Sequence, residues 1–169
     1  MMRQAILAGA VTIGLAAAPV FAADEAWVMK IAKGGMAEVE LGKLAADKAS
    51  SDAVKRFGQR MVDDHSKAND ELKALAQSKK ITLPTEIGPE EKALRDRLIK
   101  LSGPAFDQAY MKAMVNDHLK AVSAFRTESR TGKDAEVKAW AAKTLPTLEE
   151  HLKMARDANG AVGTSGTKK

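Results

Sequence analysis

Three histidines are the side chains of this sequence best suited to bind a metal ion. His65, His118 and His151 each lie near the middle of a long segment with helical periodicity, on the side that carries apolar residues. Glu38 occupies the equivalent inner position of a fourth such segment. Imidazole and carboxylate together suit iron, zinc or copper, and helical bundles build metal sites from facing helices. The pattern therefore predicts a transition-metal site with one ligand from each helix.

The depth of each residue along its helix indicates whether the four can meet. Counted from the predicted turns, Glu38 and His65 differ by roughly 3 Å in depth, and His65 and His118 are level. On the same count His151 is displaced from His118 by roughly 9 Å. We therefore expect Glu38, His65 and His118 to form the better cluster, with His151 as its weakest member.

The sequence lacks the motif of standard di-iron oxidases, in which a glutamate stands three residues before a histidine on two helices. Here those positions are apolar: Val62, Val115 and Leu148. An acidic residue directly precedes each histidine: Asp64, Asp117 and Glu150. Because adjacent helical side chains diverge by about 100°, these acids are expected to hydrogen-bond at the flanks rather than to share an ion with their neighbours. No catalytic residue is assigned.

Two other interpretations of the inner polar residues stay open. The histidines could be core residues that pair with Glu38, Asn69 or the backbone and fix the register of the bundle, because buried polar groups need partners. Alternatively, a methionine lies one turn from each histidine, at Met61, Met114 and Met154. Thioether sulfur with imidazole would favour copper(I), although methionine is also a common filler of core gaps.

Four long amphipathic helices would position these residues. Turn and capping residues predict a first helix from Asp24 to about Ala49, a second from Asp52 to about Lys79, a third from Ser102-Gly103-Pro104 to about Arg130, and a fourth capped by Asp134 and ended by Asn159-Gly160. A short helix opened by Pro89 lies in the connection at residues 80–103. The tight turns make two antiparallel hairpins. The expected fold class is therefore all-α, a ferritin-like four-helix bundle with one long crossover.

The start of the chain has the pattern of an export signal. Arg3 precedes an apolar run from Ala5 to Ala18, followed by small residues, as in a signal peptide cleaved after residue 22. The predicted organisation is a signal peptide over residues 1–22, a bundle domain over 24–158 and a disordered tail over 159–169. We expect a periplasmic protein with no transmembrane anchor after cleavage, because the run is shorter than the ~20 residues of a span.

The composition excludes several classes of protein. With no cysteine, the chain cannot form disulfides, zinc–thiolate sites or iron–sulfur clusters. Aromatic residues make up 4% of the chain, which argues against a β-sandwich. The net charge of +5 comes from interspersed basic and acidic residues, which is typical of a solvated surface. Nucleic acid is not expected as a partner, whereas an envelope surface or another protein is.

Short motifs spread through the chain resemble one family in combination. They are GMAEVELGKLA at residues 35–45, MVDDH at 61–65, Asp117-His118, Leu145-Pro146 and His151-Leu152. Together they resemble the exported bacterial domain-of-unknown-function family 4142 (DUF4142), whose members are often labelled outer-membrane proteins, over about residues 26–158. The resemblance implies a ferritin-like helical bundle and supplies no reaction.

These observations favour an exported metal-binding or stress-related accessory protein over an enzyme. A structural or interaction protein of the cell envelope, with core histidines, and a redox metalloenzyme are the alternatives.

Overall fold

The computed structural model describes residues 22–165, and within them helices joined by turns and loops are the regular secondary structure. The five helices are α1 (Ala22–Lys48), α2 (Asp52–Lys79), α3 (Pro89–Ile99), α4 (Gly103–Thr131) and α5 (Ala135–Ser165). The predicted signal peptide lies outside the described residues except for Ala22, and so do residues 166–169 of the predicted tail. No helix in the described range is long and apolar enough to cross a membrane.

The helices form two antiparallel hairpins. Helix α1 packs along α2, and α4 packs along α5, while the connection that contains α3 joins the two pairs. The hairpins meet through contacts of α2 with α5 and of α1 with α4. This is the predicted four-helix bundle with a long crossover, so the expectation of a ferritin-like, all-α fold is confirmed.

The apolar core consists of two clusters at different levels of the bundle. One cluster surrounds Phe57, Met61, Tyr110 and Met114, and the other includes Leu72, Phe125, Trp140 and Leu148. Along α2 and α4, a histidine lies between the residues of the first cluster and those of the second, and on α5 His151 lies beside Leu152, the last residue of the second cluster before Ala155 of the first. The bundle therefore has a polar layer across its middle, between two apolar layers.

Two of the predicted helix ends are wrong. Helix α1 begins at Ala22 in the described residues, so Asp24 lies inside the helix and does not cap it. Helix α5 continues through Asn159-Gly160 to Ser165, so residues 159–165 are helical rather than disordered. Ala158 and Val162 are buried in the first apolar cluster, and this burial compensates for the cost of about 1 kcal/mol that a glycine imposes on a helix.

Two buried aspartates each fasten the turn of the opposite hairpin. Asp107 of α4 accepts hydrogen bonds from Ser50 N (3.0 Å), Ser50 Oγ (2.6 Å) and Ser51 N (2.8 Å), at the turn between α1 and α2. Asp24 of α1 accepts bonds from the backbone N–H groups of Lys133 and Asp134, at the turn between α4 and α5. Asp134 in turn caps α5 through the backbone N–H groups of residues 136 and 137, as predicted.

Helices α1 and α2 approach most closely where two glycines face each other. A Cβ atom built on Gly58 would lie 2.7 Å from the carbonyl oxygen of Gly42 and 2.8 Å from Ala45 Cβ. A Cβ atom on Gly42 would lie 2.7 Å from the carbonyl oxygen of Gly58. All three distances are shorter than the contacts that real Cβ atoms make, so side chains at these two positions would push the helices apart.

We expect Gly58→Ala to lower the free energy of unfolding by about 1–3 kcal/mol, because overpacking outweighs the better helix propensity of alanine. Gly34→Ala is the matched control, since a Cβ atom there would have no neighbour within 4 Å. That change should raise stability by about 0.5–1 kcal/mol. Urea denaturation of both variants measures the contrast, and equal effects would contradict the assigned close approach.

Candidate metal centre

Three helices bring the histidines together in the polar layer. His65 comes from α2, His118 from α4 and His151 from α5. The ring centroids lie 5.8 Å apart for His65 and His118, 5.3 Å for His65 and His151, and 5.4 Å for His118 and His151. One nitrogen from each ring lies within 4.8 Å of those of the other two. This separation is short enough for three donors to surround one ion after small side-chain rotations.

His151, expected to be the weakest member, is a full member of the cluster. The expected depths of His118 and His151 were counted from positions near Ser129 and at Asp134. In the structure α4 runs to Thr131 and α5 begins at Ala135. These bounds reduce the mismatch in depth between His118 and His151 to about 4.5 Å. The lengths of the His118 and His151 side chains cover this remaining difference in depth.

All three imidazoles are buried, and each has a ring nitrogen without a partner among the described residues. The exposed fractions are 9% for His65 and 1% for both His118 and His151. The nitrogens without a partner are His65 Nε2, His118 Nε2 and His151 Nδ1. A buried polar atom that makes no hydrogen bond is costly, and a metal ion would satisfy all three at once. The donor set therefore fits a transition metal.

The other nitrogens of two rings make hydrogen bonds that orient them. His118 Nδ1 lies 2.9 Å from the carbonyl oxygen of Met114, to which it can only donate. His151 Nε2 lies 2.7 Å from Asp64 Oδ2. When these nitrogens carry the proton, His118 Nε2 and His151 Nδ1 keep their lone pairs for a metal. A carbonyl or carboxylate behind a ligating histidine is the usual arrangement in metal sites.

Burial keeps the three rings neutral. It lowers the pKa of His65 to about 3, with further lowering by the neighbouring charges of His118 and His151. It lowers the pKa of His118 to about 4, and it also lowers the pKa of His151, although the hydrogen bond to Asp64 acts in the opposite direction. Neutral imidazole is the form that binds metals, so the rings are ready to act as ligands at neutral pH.

Asp64 connects the cluster to the surface. Its carboxylate accepts hydrogen bonds from His151 and from Arg60, and Arg60 also contacts Glu150 at 3.4 Å. Burial acts to raise the pKa of Asp64, but the hydrogen bonds from Arg60 and His151 together lower it. Asp64 is therefore ionised at neutral pH. The expectation that it hydrogen-bonds at the flank is confirmed, with a histidine of another helix as its partner.

We expect Asp64→Ala to weaken metal affinity by about 10- to 100-fold, because His151 would lose the carboxylate that orients its ring. The neighbouring Asp63→Ala is the control, since Asp63 is exposed and bonds only to Gln59 at 2.8 Å. Competition titration against a chromophoric chelator measures both affinities. Equal affinities would show that Asp64 does not position a ligand.

Glu38 lies beside the cluster rather than within it. Its Oε1 is 4.0 Å from His118 Nδ1, the nitrogen already bonded to Met114, and Glu38 is not part of the group whose donor atoms lie within 4.8 Å. Its Oε2 is buried and has no partner among the described residues. Burial, with the nearby charge of Asp117, raises the pKa of Glu38 to about 8. The carboxyl group is therefore largely protonated at neutral pH.

These shifts predict that the metal-free protein is most stable near pH 6.5. Below the ordinary histidine pKa of 6.5, the unfolded chain binds protons that the buried rings do not, so stability falls as the pH falls toward 4. Glu38 acts in the opposite direction: folded Glu38 keeps its proton between pH 4.5 and about 8, so stability falls as the pH rises through that range. As the pH falls below 6.5, the stability lost through the three histidines exceeds the stability gained through Glu38.

Urea denaturation between pH 4 and 9 tests this profile. We expect Glu38→Gln to remove the decline in stability between pH 6.5 and 8, because glutamine does not titrate. A decline of the same size in that variant would contradict the assignment.

A cavity of about 330 Å³ borders the cluster. All three histidines, Glu38 and Asn69 line it, together with apolar side chains such as Phe125. Met61 and Met114 are fully buried in the first apolar cluster. Sequence reasoning found the histidines through their position on the inner stripes. It found no sign of a cavity, which arises from the spacing between the two hairpins.

The fold is similar to that of solved proteins at low sequence identity. A DUF305 fragment from Deinococcus radiodurans superposes with a TM-score of 0.73 at 14% identity, covering 87% of this chain and 99% of that one. CopM, solved in a Cu(II)-bound form, gives 0.69 at 14% identity, over 82% and 96% of the two chains. A candidate spore coat protein from Bacillus halodurans gives 0.70 at 10% identity, over 86% and 91%. These likenesses concern the fold alone.

Sequence comparison identifies the family. No curated protein shows significant similarity to the chain. The model of one family, described as a domain of unknown function, matches residues 11–158, which include every helix described above except the last turns of α5. The chain belongs to the DUF4142 family.

Proposed function

We propose that this protein binds one transition-metal ion, with copper(II) as the preferred ion, through His65, His118 and His151. The observation that carries the proposal is the convergence of three buried imidazoles, each with a ring nitrogen that has no partner among the described residues. A purely structural histidine core would be expected to pair these nitrogens with each other or with backbone groups. Here a cation would supply the partner that each one lacks.

The ligand types indicate which ion is favoured. Imidazole suits copper, zinc, iron and nickel, and among divalent first-row ions copper(II) binds nitrogen ligands most tightly. Iron sites in bundles draw on several carboxylates, whereas the donor group found within the described residues consists of the three histidines. CopM, a protein of similar fold, has been solved in a Cu(II)-bound form, which makes copper(II) the first ion to test. Zinc is the second candidate, because three histidines are also a common zinc ligand set.

The proposal places the protein outside the cytoplasm, in the periplasm, on the basis of the export signal predicted for residues 1–22. In that compartment a small bundle that sequesters a metal ion acts as a binding or stress-related accessory protein. Because the proposed ion lies between two apolar layers of the bundle, it would be shielded from direct contact with other macromolecules.

Metal analysis of untagged protein purified from periplasm tests the proposal. We expect one copper ion per chain after incubation with copper(II) and removal of excess metal by desalting. The double variant His65→Ala/His118→Ala should retain none. Lys73→Ala, at an exposed position of α2 outside the cavity lining, is the control for nonspecific loss. Equal metal content in the double variant and the parent protein would overturn the proposal. One zinc per chain, with copper excluded in competition, would keep the site and replace the ion.

A further inference from the structure

The three-histidine cluster leaves part of a metal's coordination sphere unfilled by the protein. Copper(II) and zinc take four or more ligands, and sites with three protein ligands keep a position for an exogenous molecule. Within the described residues, the group of donor atoms that lie within 4.8 Å of one another contains only the three histidines. The two neighbouring carboxyl groups face the nitrogens that already have partners: Asp64 bonds to His151 Nε2, and Glu38 approaches the His118 nitrogen that is bonded to Met114.

The cavity provides a route to that position. It borders His65, His118 and His151 at its inner end and includes the exposed residues Lys30, Glu90 and Lys120 at its outer end. Small residues of α1 and α4, among them Gly34, Ala121 and Ala124, also line it. Because a water molecule takes up about 30 Å³ in the liquid, a cavity of about 330 Å³ admits a small ligand together with several waters.

We propose that this cavity admits a small anion from solvent to the ion held by the three histidines, so that the site is an open metal centre rather than a closed structural one. The inference rests on the proposed metal binding and adds the class of ligand that the site takes. Three neutral imidazoles leave the full double positive charge on the ion, which is the largest charge in the site and attracts an anion. The charged residues that line the cavity are two lysines and four acids (Lys30, Lys120, Asp64, Glu90, Glu91 and Asp117), so the attraction for an anion comes from the ion itself.

The nature of the cavity wall limits the size of the ligand. Ala121 and Ala124 line the cavity with small, partly buried apolar side chains. A larger side chain at either position should therefore take up space that the ligand needs, while the three histidines themselves are kept.

Azide binding to the copper-loaded protein tests the inference. We expect azide to produce a new, saturable charge-transfer absorption band and a change in the copper electron paramagnetic resonance spectrum, at one azide per ion. Ala121→Leu should retain one copper and weaken azide affinity by about tenfold or more, a loss that corresponds to about 1.4 kcal/mol. Ala139→Leu, on the exposed face of α5, is the control and should bind azide like the parent protein.

The outcomes separate the two proposals. If the protein binds one copper but shows no azide band, the open site is overturned and the proposed function stays intact. The same conclusion follows if Ala121→Leu binds azide as tightly as the parent protein. If copper does not bind, the choice of copper and the open copper site are both overturned, and if zinc does not bind either, the metal site itself is overturned. Thermal unfolding of Ala121→Leu shows whether the variant is folded. If it is not, Ala124→Leu on the same wall replaces it, with the same expected loss.

Discussion

Zinc is expected to raise the melting temperature of this protein by about 8 to 16 °C. A ligand present at about 1,000 times its dissociation constant stabilises the folded state by about 4 kcal/mol, and each kcal/mol shifts the melting temperature of a chain this long by about 2–4 °C. The three ligands come from α2, α4 and α5, so the ion joins one hairpin to the other. Zinc is used for this measurement because it has no redox chemistry.

His118→Ala removes one ligand and should abolish most of the zinc-induced shift. Truncating a buried side chain also lowers the stability of the metal-free protein, so a matched control is required. Met111→Ala truncates another fully buried side chain of α4 outside the cluster. It should have a lower melting temperature without zinc and keep the full shift with zinc. A shift of parental size in His118→Ala would mean that zinc binds elsewhere, and it would contradict the assigned site.

Asp107→Ala is expected to destabilise the protein by about 3–5 kcal/mol. Its carboxyl group is 2% exposed and accepts three hydrogen bonds from Ser50 and Ser51. A hydrogen bond to a charged group contributes about 1.5–3 kcal/mol, and its removal leaves buried donors without a partner. The effect should be large because these bonds fasten the α1–α2 turn to α4 and thus one hairpin to the other.

Urea denaturation compares this variant with Asp70→Ala, an exposed position on α2. We expect Asp70→Ala to change stability by less than about 0.5 kcal/mol, as is usual for surface substitutions. The stability of Asp107→Asn should lie between those of the two alanine variants, because the amide keeps one acceptor oxygen but loses the charge. If Asp107→Ala and Asp70→Ala were alike, the turn would not depend on the buried carboxylate.

The helices and their pairing could be predicted because each depends on local patterns. Apolar residues at helical spacing indicate the inner face of every long helix, and Asp52 and Lys79 mark the bounds of α2 in both sequence and structure. The histidines stand out for the same reason, since a polar residue on an apolar stripe is conspicuous. His65 and His118 lie at equal distances along the sequence from the connecting segment, which predicted that they lie at the same level of the bundle. In the structure their ring centroids lie 5.8 Å apart.

The features that the sequence did not reveal depend on contacts between helices and on the exact ends of the helices. Asp107 and Asp24 bond to backbone groups more than 50 residues away, and no spacing rule links such partners. The membership of His151 depended on helix ends that pattern reasoning places only to within a few residues. The close approach at Gly42 and Gly58 requires knowledge of which residues face each other across two helices.

The central claim is that one metal ion lies between His65, His118 and His151. Diffraction from crystals of the copper-loaded protein, with data collected on both sides of the copper absorption edge, tests it most directly. We predict one anomalous peak per chain, about 2.0 Å from one ring nitrogen of each of the three histidines. An anomalous peak only at surface carboxylates or at methionine sulfur, with the three rings left unliganded, would contradict the account.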